Sequence, residues 1–126
     1  MLISIVDDDR SVREAMARLM KSHGYQAETF ASADALLGSD RLTQTACLIA
    51  DVQMPHMTGL ELHSRLVAAG EPIPTILITA HPDETTHVRA LRAGVLCYLT
   101  KPFREDELLA CVRQAVERQE RTGRPR

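Results

Sequence analysis

Leu2-Ile3-Ser4-Ile5-Val6-Asp7-Asp8-Asp9 opens the chain, and the fold turns on how these residues are read. An apolar, β-branched run predicts a strand, and the carboxylates after it mark where the strand ends. The same plan recurs. Tyr25 to Phe30 is a weaker strand, and Ala46-Cys47-Leu48-Ile49-Ala50 is a third that runs into Asp51. Thr75-Ile76-Leu77-Ile78 is a fourth, ending in Thr79-Ala80, and Cys97-Tyr98-Leu99-Thr100 a fifth, ending in Lys101-Pro102.

Between the strands the period changes to that of a helix. Val12, Met16, Leu19 and Met20 share one helical face, and Gly24 suits the stop that follows. Ser32 to Leu37 is a short helix. A turn-rich stretch from Met54 to Gly59 precedes a helix carrying Leu62 and Leu66. Glu84 to Ala93 is a helix stopped by Gly94, and Glu105 to about Arg118 turns Leu108, Leu109, Val112 and Val116 inward. Five strand–helix units in succession imply a parallel sheet covered on both faces. The strongest strands are apolar throughout, as strands buried on both sides should be.

With 126 residues the chain fits one compact domain. It is 44% hydrophobic and 25% charged, so an ordinary core is expected, built from Leu, Ile, Val, Ala and Met because aromatics make up only 3%. A net charge of −2 and the lack of aromatic platforms give no support to a nucleic-acid surface. No apolar run is long enough to span a bilayer, and no signal peptide is visible. Cys47, Cys97 and Cys111 lack metal-type spacing, so free thiols in a reducing cytoplasm are expected, buried in strands for Cys47 and Cys97. His23, His56, His63, His81 and His87 do not pair with them at zinc spacing and are expected at the surface, with His81 bordering the site. Residues 117–126 contain four arginines and no apolar side chain, which reads as a frayed helix end or an interdomain linker.

Ligands of parallel α/β sheets bind beyond the carboxyl ends of the strands. There the chain places Asp7, Asp8 and Asp9, then Asp51, Thr79 and Lys101. Each has an ordinary explanation alone: a helix cap for Asp9, a turn aspartate for Asp51, a strand threonine, a surface lysine. Together, at the ends of four strands, they form a carboxylate cluster beside a hydroxyl and an ammonium. Clustered carboxylates call for a compensating cation, and oxygen-only ligands favour a hard divalent ion such as Mg²⁺. A carboxylate can attack phosphorus, and phosphoryl transfer asks a protein mainly for positioning and charge neutralisation. No Gly-rich phosphate loop, dinucleotide fingerprint or nucleophile elbow offers a competing chemistry.

The sequence resembles the receiver domains of two-component response regulators. The match is carried by Ile5-Val6-Asp7-Asp8-Asp9, Asp51-Val52-Gln53-Met54-Pro55 with Met57 and Gly59, Ile78-Thr79-Ala80, Ala90 through Gly94, and Lys101-Pro102-Phe103. The last two runs look most like FixJ-type receivers, usually joined to a helix-turn-helix DNA-binding domain. The expected fold is a flavodoxin-like, doubly wound five-stranded parallel sheet of order 2-1-3-4-5. Residues 1–118 would form the receiver, and 119–126 a polar tail or the start of a linker.

The resemblance implies that Asp51 accepts a phosphoryl group from a sensor histidine kinase or a small acyl phosphate. Asp8 and Asp51 would bind Mg²⁺ (or Mn²⁺) directly, Asp7 through water, and Gln53 through its main-chain carbonyl. Lys101 would contact a phosphoryl oxygen, and its bond to Pro102 would be cis. Thr79 and Tyr98 would form the switch that remodels the face of the fourth helix, fifth strand and fifth helix, often for dimerisation. Gln53 and His81 would flank the path of the attacking water. Such a chain is a cytoplasmic signalling phosphoacceptor with its own self-phosphorylation and autodephosphorylation chemistry, not a turnover enzyme. Its output would be transcription through a DNA-binding domain not present here, with no nucleic-acid or membrane contact of its own. The alternatives are a stand-alone receiver and a phosphate-independent interaction module. A phosphatase with an Asp nucleophile would commonly carry a second Asp where Gln53 stands.

Overall fold

The computed structural model describes residues 1–122. Five strand–helix units follow in order: β1 (Leu2–Val6), α1 (Arg10–Ser22), β2 (Gln26–Phe30), α2 (Ala33–Leu37), β3 (Thr45–Asp51), α3 (Gly59–Ala68), β4 (Thr75–Thr79), α4 (Glu84–Arg92), β5 (Cys97–Thr100) and α5 (Glu105–Thr122). The strands form one parallel sheet in the order β2-β1-β3-β4-β5, as expected. The central strands β1, β3 and β4 are buried along their whole length, whereas the edge strand β2 shows Gln26, Glu28 and Thr29 to solvent.

Alternation along the strands divides the core in two. Ile3, Ile5, Cys47, Ile49, Ile76 and Ile78 point to the side covered by α1 and α5, where they meet Met16, Met20, Leu108 and Val112. Val6, Leu48, Ala50 and Leu77 point the other way and meet Leu36 of α2, Leu62 and Leu66 of α3 and Ala90 of α4. The helix ends follow local chemistry. Asp9 caps α1 by accepting from the backbone N–H groups of Ser11 and Val12. Thr58 and Glu61 form a reciprocal capping box at the start of α3. Gly24 and Gly94 take φ of 87° and 93°, the left-handed conformation that ends α1 and α4. Among the described residues no helix is long and apolar enough to cross a membrane.

Three expectations need correction. Cys97 and Cys111 are joined as a disulfide linking β5 to α5, so only Cys47 is a free, buried thiol among the described residues. The cause is tertiary: packing α5 against β5 brings the two Cα atoms to 6.4 Å, inside disulfide range. His63 is buried rather than at the surface, in a cleft also lined by Pro72, Pro74 and Ala93, and burial lowers its pKa. Helix α5 continues past Arg118 to Thr122, with Gln119 buried. Residues 123–126 of the expected tail lie outside the described residues.

Candidate functional site

Parallel topology brings the tips of β1, β3, β4 and β5 to one edge. Carboxylate oxygens of Asp7, Asp8 and Asp51 all lie within 4.8 Å of one another. Asp7 and Asp51 are buried and Asp8 is exposed, so the cluster has one open side. Lys101 enters from beyond β5, its Nζ 3.3 Å from Asp7 Oδ2 and 3.6 Å from Asp51 Oδ2. The Lys101 backbone N–H donates to the Thr79 carbonyl at 2.7 Å, which ties the tips of β4 and β5 together. The Lys101–Pro102 bond is cis, as the resemblance implied.

The pocket is acidic, its three carboxylates facing the single ammonium of Lys101. Burial raises the Asp51 pKa above its ordinary value, the charge on Asp7 raises it further, and Lys101 pulls it down. Asp51 Oδ1 is buried and has no hydrogen-bond partner among the described residues. Buried carboxylate oxygens are normally paired, and an orphan beside two more carboxylates is what a hard cation would satisfy. The oxygen-only donor set therefore fits a divalent metal.

Thr79 is fully buried at the tip of β4. Its hydroxyl donates to Gln53 Oε1 at 2.7 Å and accepts from the His81 backbone N–H at 3.0 Å. Tyr98 lies half-buried on β5 against α4, beside His87. Asp9 stays out of the cluster as a cap, and the His81 side chain is exposed. Two features escaped the sequence reading. The Arg13 guanidinium donates to the Asp7 carbonyl at 3.0 Å, bracing the acidic loop from α1. The Gln53 side chain, as distinct from its main chain, reaches Thr79. Neither residue lies in a motif that announces such a bond.

A third close approach shapes the site. A Cβ at Gly59 would lie 2.5 Å from the Asp51 carbonyl oxygen and 2.9 Å from Leu77 Cδ2. Only glycine lets the first turn of α3 sit this near the end of β3.

A flavodoxin-like sheet whose strand tips gather two buried and one exposed aspartate, a threonine and a lysine defines a receiver domain. The chain belongs to the response regulator receiver domain family of two-component systems, whose family model matches residues 3–113. Among curated proteins it is similar to the response regulator protein TodT of Pseudomonas putida, 42% identical over 127 aligned positions that cover 99% of this chain and 56% of TodT. It is also similar to the transcriptional regulatory protein FixJ of Bradyrhizobium diazoefficiens, 33% identical over 94% of this chain and 58% of FixJ. The chain thus spans little more than half the length of these relatives. Among solved structures, the response regulator StyR superposes with a TM-score of 0.87 at 40% identity, covering 98% of this chain and 63% of StyR. FixJ-N gives 0.82 at 31% identity, covering 92% of this chain and 93% of that one.

Proposed function

We propose that the chain is a phosphorylation switch in which Asp51 accepts a phosphoryl group from a sensor histidine kinase. The observation that carries this reading is the gathering of Asp7, Asp8, Asp51 and Lys101 around one spot, where one Asp51 oxygen has no hydrogen-bond partner among the described residues. A carboxylate oxygen of Asp51 forms the new bond to phosphorus as the phosphorus–nitrogen bond of a phosphohistidine breaks. The imidazole nitrogen leaves with that electron pair. Lys101 meets the charge of the phosphoryl oxygens, and Thr79 supplies a hydrogen-bond donor.

Asp8 and Asp51 would hold Mg²⁺ or Mn²⁺ directly, Asp7 through water, and Gln53 through its main-chain carbonyl. When bound, the ion supplies positive charge that offsets repulsion between phosphoryl oxygens and carboxylates. Once phosphorylated, Thr79 and Tyr98 pass the change to the face of α4, β5 and α5, a local charge biasing a two-state element. Homodimerisation through α4 and β5 is one form this output takes. Transcription control is the output that the transcriptional regulatory protein FixJ favours by analogy, and it would act in the cytoplasm through a DNA-binding domain outside these residues. On this reading the chain is a substrate-like phosphoacceptor and not a turnover enzyme.

The test is mass spectrometry of the intact protein after incubation with Mg²⁺ and acetyl phosphate. One added phosphate is expected on the wild type and none on Asp51→Asn. A wild type that stays unmodified, or an Asp51→Asn protein labelled equally, refutes the assignment.

A further inference from the structure

We infer that the Gln53 side chain is a latch on Thr79, a positioning residue that competes with the phosphoryl group for the only proton the Thr79 hydroxyl can donate. The inference rests on the phosphoacceptor reading above and adds to it what opposes the switch. Thr79 is fully buried, and both of its hydroxyl's visible bonds are assigned: it donates to Gln53 Oε1 at 2.7 Å and accepts from the His81 N–H at 3.0 Å. A hydroxyl has one hydrogen to donate. A phosphoryl group on Asp51 offers only acceptor oxygens, so Thr79 can bond it only by releasing Gln53. The competition is one bond for one bond.

The rest of the surroundings suits a bond that breaks and re-forms. Gln53 is exposed as a residue, so its freed amide can be met by water and leaves no buried orphan. It also lines a cleft of about 570 Å³ between α3 and α4, beside Thr58, Glu61, Thr86 and Arg89, which gives the side chain somewhere to go. The His81 bond is different in kind. It donates to Thr79, leaves the hydroxyl proton free, and can persist in both states. Gln53 alone of the two must let go. Trading one such bond for water at an exposed side chain sets the expected effect at about five-fold in affinity for a phosphoryl mimic.

Beryllofluoride binding in Mg²⁺, followed by NMR titration, measures the latch. The mimic is not hydrolysed, so any influence of residue 53 on water attack stays out of the readout. Gln53→Leu removes the acceptor while leaving the main chain, and should bind beryllofluoride about five-fold tighter than wild type. In a Thr79→Val background, which lacks the hydroxyl at similar volume, the same Gln53→Leu change should have no effect. Without the mimic, Gln53→Leu should also shift the Thr79 methyl resonance and its χ1 coupling, a signature that needs no phosphorylation chemistry and no second variant. A wild type that binds beryllofluoride while Gln53→Leu leaves both affinity and Thr79 couplings unchanged overturns the latch alone. An equal gain in the Thr79→Val background overturns it too, since the effect then bypasses the hydroxyl. A wild type that takes neither beryllofluoride nor phosphate overturns the phosphoacceptor reading and the latch with it.

Discussion

The phenol ring of Tyr98 lies flat against the imidazole of His87, with ring centroids 4.6 Å apart and planes 9° from parallel. The pair joins β5 to α4. Its hydroxyl end is less comfortable: Tyr98 Oη is buried with no hydrogen-bond partner among the described residues. A buried unpaired hydroxyl destabilises the state that holds it. Tyr98→Phe should therefore raise the unfolding free energy by about 1 kcal/mol in urea titration. His87→Ala should lower it by about 1 kcal/mol through loss of the stacked contact. A destabilised Tyr98→Phe would mean that the hydroxyl has a partner after all.

Asp51 should cost the resting fold stability when it ionises. Its folded pKa lies above the ordinary 3.8, because of burial first and Asp7 second. A raised folded pKa means that the native state keeps a proton the unfolded chain releases. The associated stabilisation is present below the ordinary carboxylate value and is lost as pH rises through the folded one. Asp51→Asn escapes that loss. Measured with chelator from pH 4 to 8, the gain of Asp51→Asn over wild type should grow as pH rises through the folded pKa and then level off. A gain that shrinks with rising pH contradicts this electrostatic account.

A divalent metal should act in the opposite sense, stabilising only the protein that carries the full carboxylate set. Mg²⁺ at ten times its Kd adds about 1.4 kcal/mol to a folded state that binds one ion. Asp8 is the exposed member of the cluster, so Asp8→Asn should fold normally and lose this increment. Thermal unfolding with and without Mg²⁺ decides the matter, and equal increments in both proteins would place the ion elsewhere.

Gly59→Ala should damage both fold and site. The new methyl would meet the Asp51 carbonyl oxygen at 2.5 Å, and that oxygen is backbone at the end of a buried strand with little room to move. Overpacking of this kind costs about 2 kcal/mol. Labelling by acetyl phosphate should slow as well, because the strain falls on the residue that accepts phosphate. An unchanged midpoint in urea would show that α3 can shift at no cost.

Thiol titration should count one reactive group per denatured chain before reduction and three after it. Cys97 and Cys111 are paired, and Cys47 is the remaining thiol. In the folded protein Cys47 should not react, since burial pushes its pKa up to about 12. The disulfide closes a loop with a sequence separation of 14, so reducing it should cost about 3 kcal/mol of stability. Three thiols in the unreduced protein would refute the pairing.

Much of this molecule is written locally. Ile3, Ile5, Ile49 and Ile76 sit in three runs that only a sheet covered on both faces can bury, and with two weaker strands alternating with helical segments they leave little besides a parallel α/β sheet. Asp9, Thr58 and the two terminating glycines act on residues within a few positions of themselves, so their roles show in the chain. The meeting of Asp7, Asp51, Thr79 and Lys101 follows from the same topology, since parallel strands deliver all their ends to one edge.

What the residues could not announce depends on directions across elements. Cys97 and Cys111 are fourteen positions apart, and nothing in that spacing says that α5 lays one sulfur on the other. His63 follows Leu62 on α3, and whether it faces water or Pro74 depends on how the helix is rotated on the sheet. The resemblance implied roles for the Gln53 main chain and for its place beside the attacking water, but not the bond that its side-chain oxygen accepts from Thr79. By itself, the sequence determined the strands, the helices and the edge where the carboxylates gather, because periodicity and capping are short-range, while the strand order was implied by the family resemblance. Only the tertiary structure decided which side chains touch across that edge, because contact requires two elements to be docked at a particular angle and height.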